Sequence, residues 1–131
     1  MKKIFIFLLL FSAWLTADII WQKDIPTAIQ IAKKENKNIM VFVVGKSCRW
    51  CVKMKNRTLS NVNVNKRLKS YIAVKVYRED EKASKELPAI YGVPTIFFMT
   101  PDKIILESVV GYFDVEDFIS YINDVEKKVK K

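Results

Sequence analysis

The feature that most constrains this chain is a pair of cysteines, with two residues between them, that follows three residues after an apolar run. The run covers residues 39–44 (IMVFVV), and the pair is Cys48 and Cys51. The run lacks polar alternation, which is typical of a strand covered on both faces in the centre of an α/β sheet. Residues 49–57 contain no glycine and can form a helix. The sequence therefore predicts a buried strand that leads into a Cys-x-x-Cys pair at a helix start.

This pair is suited to reversible oxidation. At a helix start, the sulfur of Cys48 lies among unpaired backbone N–H groups at the positive end of the helix dipole, where a thiolate is stabilised. Arg49 adds a positive charge beside it. Cys51, one turn further along, can reach the same sulfur and close a disulfide after a mixed disulfide with a substrate. We therefore predict Cys48 as the nucleophile, with the lower thiol pKa, and Cys51 as the resolving thiol.

Two other interpretations of the pair stay open. A structural disulfide across so short a spacing closes almost no loop and would add little stability. A zinc site commonly has four Cys or His ligands. The chain has two cysteines and no histidine, so two chains would each have to contribute two sulfurs. Redox chemistry is the favoured interpretation, and we expect no metal and no cofactor.

The N-terminus has the three-part layout of a secretory signal peptide. Two lysines precede an apolar run over residues 4–15, which ends before the small residue Ala17. The run is shorter than the ~20 residues that a membrane-crossing helix needs. We predict a cleaved signal peptide over residues 1–17, with an uncleaved anchor as the alternative. The mature protein would be one domain, residues 18–131, in the periplasm.

Charge and cysteine content restrict the partners. The chain has 23 Lys and Arg against 14 Asp and Glu, a formal net charge of +9. The lysines are spread over the chain and do not interleave with aromatic residues in the way that stacks on bases. We therefore expect no nucleic-acid partner, whereas acidic partners or anionic membranes remain compatible with the charge. An exported chain with one Cys-x-x-Cys pair fits an oxidising compartment in which that pair is active.

The rest of the chain predicts alternating helices and strands. Further apolar strands are predicted over residues 72–77, 96–99 and 104–110. The last two are close enough in sequence to pair as a hairpin, and the earlier two suit a βαβ unit. The predicted order is helix, strand, helix, helix, strand, helix, strand, strand, helix. This order indicates the α/β class.

Capping and stop residues locate the helices. Asp24, Ser60 and Asp114 can cap helices. A helix that begins in the charged stretch 78–86 must end or kink at Pro88. The last helix repeats four apolar residues on one face, which should cover the sheet: Phe118, Ile122, Val125 and Val129.

This arrangement resembles the thioredoxin fold over nearly all of residues 18–128. The resemblance rests on the Cys-x-x-Cys pair after the first core strand and on Val-Pro-Thr, residues 93–95, before the hairpin. The Cys-x-Trp-Cys-x-x-Met form of residues 48–54 is similar to exported thioredoxin-like proteins and to the C-terminal domain of the membrane electron conductor DsbD. The resemblance implies a central mixed β-sheet, made of a βαβ unit and a β-hairpin, flanked by helices.

The resemblance also implies roles for residues outside the pair. Pro94 would be the cis-proline that faces the sulfurs, and Val93 would supply backbone for pairing with a substrate. Arg49 and Trp50 stand between the cysteines, where thioredoxins usually have Gly-Pro, and we predict that both face the partner, with simple packing of Trp50 as the alternative. Lys75 falls where thioredoxins keep a lysine near the buried cysteine. From the pattern alone, a lysine within an apolar strand lies at an edge, reaches out to water, or lies under the site.

The chain departs from the thioredoxin pattern at three places. Thioredoxins usually have Trp before the first cysteine, where this chain has Ser47, and Gly-Pro between the two cysteines. The buried acid that they place six residues before the first cysteine is Phe42 here. Proton transfer to and from Cys51 must therefore use another group or water, and Lys75 is the local candidate.

The resemblance implies an exported thiol–disulfide oxidoreductase that reduces protein disulfides or relays electrons to them. Its partners would be protein thiols and disulfides and a membrane-bound electron donor, and we expect a monomer. Only 42 residues separate Cys51 from Pro94, which leaves no room for the added helical domain of DsbA-type oxidases. A binding module that holds a peptide or a metal without turnover, and a disulfide oxidase or isomerase, are the alternatives.

Overall fold

The computed structural model describes residues 18–130, so the predicted signal peptide lies outside the described residues. This part of the chain forms five strands, five α-helices and one π-helical segment. In chain order they are β1 (Trp21–Gln22), α1 (Ile25–Glu35), β2 (Asn38–Val44), α2 (Arg49–Lys53), a π-helical segment (Met54–Leu59), α3 (Val62–Leu68), β3 (Tyr71–Tyr77), α4 (Glu81–Ser84), β4 (Thr95–Met99), β5 (Ile105–Val110) and α5 (Val115–Val129). Among these, no helix has the length and apolar character needed to span a membrane.

The strands form one mixed sheet in the order β1-β3-β2-β4-β5. The central strand β2 pairs parallel with β3 and antiparallel with β4, and β4 pairs antiparallel with β5. Six of the seven residues of β2 are buried. This position explains why its sequence shows no polar alternation. The predicted sheet of a βαβ unit and a hairpin is confirmed.

Helices cover both faces of the sheet, and alternate residues of β2 belong to opposite cores. Met40 and Phe42 pack in the cluster that contains Cys51 and the buried face of α5. Val41 and Val43 pack in the other cluster, with the buried face of α1. Helix α2 and the π-helical segment that follows it, together called the active-site helix (residues 49–59), therefore pack on the same core as α5.

Side-chain caps fix most helix starts where the sequence predicted them. Asp24 and Asp114 cap α1 and α5. The predicted cap of α3 at Ser60 was wrong, because the Ser60 hydroxyl donates to the carbonyl of Asn56. The amide oxygen of Asn61 instead accepts hydrogen bonds from two backbone N–H groups in the first turn of α3.

One strand was missed, and two other local predictions need correction. The short strand Trp21–Gln22 was not predicted, because two residues carry no periodic signal. The helix expected from residue 78 begins only at Glu81, after the Asp80 cap. Val129 was placed on the covered face of α5, but it is 51% exposed. It lies in the last turn of the helix, beyond Val125, and does not belong to the buried cluster that contains the other three residues.

Candidate active site

The cysteine pair lies where β2 passes into α2. The strand ends at Val44, and Cys48 is the N-cap residue of α2, with extended backbone dihedral angles. The predicted sequence of strand, motif and helix is therefore confirmed. Three residues, 45–47, make the connection, so the position of Cys48 is set by the end of the central strand.

The two cysteines form a disulfide. Their sulfurs are 2.09 Å apart and their Cα atoms 5.2 Å apart. The Sγ of Cys48 also accepts a hydrogen bond from the backbone N–H of Cys51, at 3.1 Å. Cys48 is partly exposed, whereas Cys51 is only 5% exposed. The outer sulfur is thus open to attack beside a hydrogen-bond donor, and the inner sulfur lies behind it.

A π-helical segment continues the active-site helix and anchors it. Met54, its first residue, is fully buried beneath the pair. The hydroxyl of the buried Thr58 donates to the carbonyl of Phe113 at 2.6 Å. Wider helical turns of this kind are frequent at functional sites. Here the bond joins the helix of the cysteine pair to the segment that precedes α5.

An exposed aromatic group stands between the two cysteines. Trp50 is 52% exposed, and its ring centroid lies 5.5 Å from that of Tyr112. The Nζ of Lys53 lies 4.2 Å from the Trp50 ring centroid. The sequence pointed to Trp50 but missed both neighbours. The i, i+3 spacing of Trp50 and Lys53 on a helix could have indicated the first contact, whereas nothing local indicates Tyr112.

The Val93–Pro94 segment lies against the loop that carries Cys48, and its peptide bond is cis. A Cβ atom added to Gly45 would stand 3.2 Å from Cγ2 of Val93 and 3.6 Å from Cβ of Cys48. A glycine at position 45 thus lets these two segments approach closely. Val93 and Cys48 thus both lie next to Gly45. The roles predicted for Val93 and Pro94 toward a substrate stay predictions.

A family model for the thioredoxin-like domain matches residues 25–126, which include the cysteine pair and the Val93–Pro94 segment. The chain belongs to the thioredoxin-like family. Together with the bonded Cys-x-x-Cys pair, this membership makes the protein a thiol–disulfide oxidoreductase.

Solved thioredoxin-like structures share the fold at low sequence identity. A thioredoxin from Thermus thermophilus is 20% identical, with a TM-score of 0.71 over 82% of this chain and 87% of its own. The DsbH oxidoreductase is 21% identical, with a TM-score of 0.69 over 85% and 86%. The oxidised C-terminal domain of Neisseria meningitidis DsbD is 17% identical, with a TM-score of 0.62 over 75% and 89%. No curated protein matches the chain by sequence.

This thioredoxin-like domain has a lysine and a phenylalanine side by side beneath its site. Lys75 in β3 is the register partner of Phe42 in β2. By strand alternation it shares the sheet face of Ala73, which packs in the cluster of Cys51. The Nζ of Lys75 lies 5.6 Å from the ring centroid of Tyr77, toward the end of the strand. Lys75 is thus on the correct face for the proton-transfer role predicted for it, which stays a prediction.

Glu79 holds the loop that precedes Cys48, and sequence reasoning missed it. Its Oε1 accepts a hydrogen bond from the backbone N–H of Lys46 at 3.1 Å, across 33 positions of the chain. The same oxygen lies 3.5 Å from the point that a Gly45 Cβ would occupy. The hydrogen bond from Lys46 lowers the pKa of the Glu79 carboxyl below its ordinary value of 4.5. No local pattern could have shown a contact over this separation.

We expect Glu79→Gln to weaken the acid sensitivity of the fold. Because the folded-state pKa of Glu79 is lowered, its contribution to stability is complete above the unfolded-state pKa and is lost as the pH falls through the folded-state pKa. The neutral amide does not titrate. The thermal unfolding midpoint, followed by circular dichroism from about pH 6 down to about pH 3, should therefore fall less in the variant than in the wild type.

The matched control is Asp102→Asn, which removes an exposed carboxylate in the turn between β4 and β5. This variant should keep the pH dependence of the wild type. Parallel curves for Glu79→Gln and the wild type would show that the loop contact contributes nothing to acid stability.

Proposed function

We propose that this protein is an exported thioredoxin-like oxidoreductase that reduces protein disulfides, or relays electrons to them, through the Cys48/Cys51 dithiol. The observation that carries the proposal is the placement of the pair: a partly exposed Cys48 sulfur at a helix start, hydrogen bonded to a backbone N–H, with the buried Cys51 behind it. Export is proposed from the three-part layout of residues 1–17.

The geometry supports a two-step exchange. In the reduced protein, the Cys48 thiolate attacks one sulfur of a substrate disulfide. The substrate S–S bond breaks, and its departing sulfur takes up a proton. Cys51 then loses its proton and attacks Sγ of Cys48, which releases the second substrate thiol and closes the protein disulfide. Two electrons and two protons pass to the substrate, and a dithiol donor must return them.

Reduction is the proposed direction, for two reasons. The first is size. The 42 residues between Cys51 and Pro94 form the rest of the active-site helix, α3, β3, α4 and their connections, so they leave no room for the added helical domain of DsbA-type oxidases. The chain also shares the fold of the C-terminal domain of DsbD, which its Cys-x-Trp-Cys-x-x-Met motif resembles. On this basis we propose a membrane-bound protein as the electron donor and protein disulfides as the substrates.

Insulin reduction, with dithiothreitol as the electron donor, tests the proposal. The wild type should accelerate precipitation of the insulin B chain, and Cys48→Ser should leave the rate measured without protein. A thioredoxin-fold module that only bound peptides would leave both rates at background. Such a result would overturn the proposed function.

We predict a reduction potential between those of thioredoxin and protein disulfide isomerase, roughly −270 to −180 mV. Arg49 favours the Cys48 thiolate and hence the dithiol form, which makes the protein more oxidising. A partly exposed charge contributes about 1 kcal/mol or less, which corresponds to about 20 mV for a two-electron couple. Arg49→Gly should therefore be more reducing by about that amount.

Equilibration with glutathione buffers, followed by thiol counting, measures both potentials. Lys127→Gly, which removes a cation from the far end of α5, is the control and should leave the potential unchanged. A wild-type value near −120 mV, on the scale where that is the potential of DsbA, would indicate an oxidase, and the reductase assignment would have to be abandoned.

A further inference from the structure

A long central part of the chain contains no acidic residue. Residues 36–78 hold eleven Lys or Arg side chains and no Asp or Glu. This part forms β2, the active-site helix, α3 and β3, and so it includes the cysteine pair. Glu79 lies against the loop before Cys48, where its carboxylate accepts the hydrogen bond from Lys46. The basic excess beside the reactive site is that of residues 49–59, which hold four cations and no acidic residue.

The fold neutralises few of these cations. Within residues 18–130, the side-chain ion pairs are Arg67–Glu126 and Lys128–Glu107. The cations of the active-site helix belong to neither pair: Arg49, Lys53, Lys55 and Arg57. Their charges are available to a partner that approaches the disulfide.

Two of these cations adjoin exposed apolar surface beside Cys48. Trp50 and Val52 are both more than half exposed. The Nζ of Lys53 lies 4.2 Å from the centre of the Trp50 ring, and Arg49 directly follows Cys48. We call these four residues, 49, 50, 52 and 53, the helix patch. The helix patch thus presents two exposed apolar side chains between two positive charges, and it begins at the residue after Cys48.

We propose that the helix patch selects protein partners whose reactive cysteine is flanked by apolar and acidic side chains. The inference rests on the proposed function, since it concerns the partner of the same exchange. Complementary charge speeds encounter and disfavours wrong partners. A partner carboxylate can pair with Lys53 or Arg49 while a neighbouring apolar side chain packs on Trp50. An anionic membrane fits this patch less well, because it would cover the sulfur that substrates must reach.

Two disulfide peptides of otherwise identical sequence test the inference, one with Glu and one with Lys on either side of its cysteines. The pre-reduced protein is mixed with each peptide, and the second-order rate constant is followed by tryptophan fluorescence. Uncharged hydroxyethyl disulfide serves as the reference substrate. At low salt the acidic peptide should react at least about ten-fold faster than the basic one. The ratio should approach one at about 1 M salt, where charges are screened within a few ångströms.

Charge reversal at Lys53 tests whether the helix patch causes the faster reaction of the acidic peptide. Lys53→Glu should lower the acidic-to-basic rate ratio by several fold, with each rate normalised to that of hydroxyethyl disulfide. Lys127→Glu makes the same change in net charge on α5, about 18 Å along the helix from its first residue. This control should keep the ratio of the wild type.

The outcomes separate this inference from the proposed function. Failure to reduce hydroxyethyl disulfide would overturn the proposed function, and this inference with it. Reduction of hydroxyethyl disulfide with equal rates for the two peptides would overturn the inference alone. Equal peptide rates together with retention on phosphatidylglycerol vesicles, lost in Lys53→Glu, would assign the helix patch to a membrane surface instead.

Discussion

Cys51→Ser should accumulate mixed disulfides through Cys48, and the double replacement of both cysteines should accumulate none. In the proposed exchange, Cys51 resolves the mixed disulfide by attacking the Cys48 sulfur, to which it is bonded in this structure. Serine is a far weaker nucleophile at neutral pH and cannot take that role. The covalent complex with a substrate then persists until an external thiol cleaves it.

Affinity purification of the variant, followed by non-reducing electrophoresis and mass spectrometry, measures the trapped complexes. Partial alkylation of the reduced wild type is an independent check, because Cys48 is the more accessible thiol, partly exposed at the helix start, and should be modified first. Modification of Cys51 before Cys48, or adducts through Cys51 in a Cys48→Ser variant, would reverse the assignment of the two roles.

Phe42→Ala should cause the largest loss of stability of the substitutions considered. Phe42 is 1% exposed in the middle of the central strand, and its ring stacks on Trp21 at a centroid distance of 5.7 Å. Removing a buried phenylalanine side chain typically costs about 3–5 kcal/mol, from lost burial and from the cavity that remains. That is a large share of the roughly 5–15 kcal/mol by which a domain is stable.

Urea unfolding followed by circular dichroism measures the change in the free energy of unfolding. The control is Val62→Ala, at the exposed first position of α3. It should change the free energy by no more than about 0.5 kcal/mol. A loss below about 1 kcal/mol for Phe42→Ala would mean that the core closes around the missing ring, contrary to the tight packing that its burial indicates.

The parts of the fold that the sequence predicted are those encoded by local patterns. The unbroken apolar run of β2 indicated a strand buried on both faces, and short connections indicated the hairpin of β4 and β5. Likewise, the position of Cys48 at a helix start followed from the composition of the segment after it. Such signals lie within a few residues of one another, so they do not depend on which distant segments come together in the fold.

The features that the sequence missed depend on distant parts of the chain. Glu79 reaches the loop before Cys48 across 33 positions, and Tyr112 reaches Trp50 only because β5 ends beside the active-site helix. Lys75 was left with three possible surroundings, and strand register was needed to place it opposite Phe42. Contacts of this kind are set by topology, which composition and spacing do not encode.

The placement of a partly exposed Cys48 in front of a buried Cys51 also affects how the protein responds to oxidants. A peroxide that reaches the reduced pair meets Cys48 first, and oxidation of that thiolate yields a sulfenic acid. Cys51, whose Cα atom is 5.2 Å from that of Cys48 in the disulfide, can condense with it, forming the disulfide and releasing water. Further oxidation of Cys48 to the irreversible sulfinic and sulfonic acids must compete with this ring closure. The proposed dithiol donor would then reduce this disulfide, so the oxidised cysteine would return to a normal state of the proposed cycle.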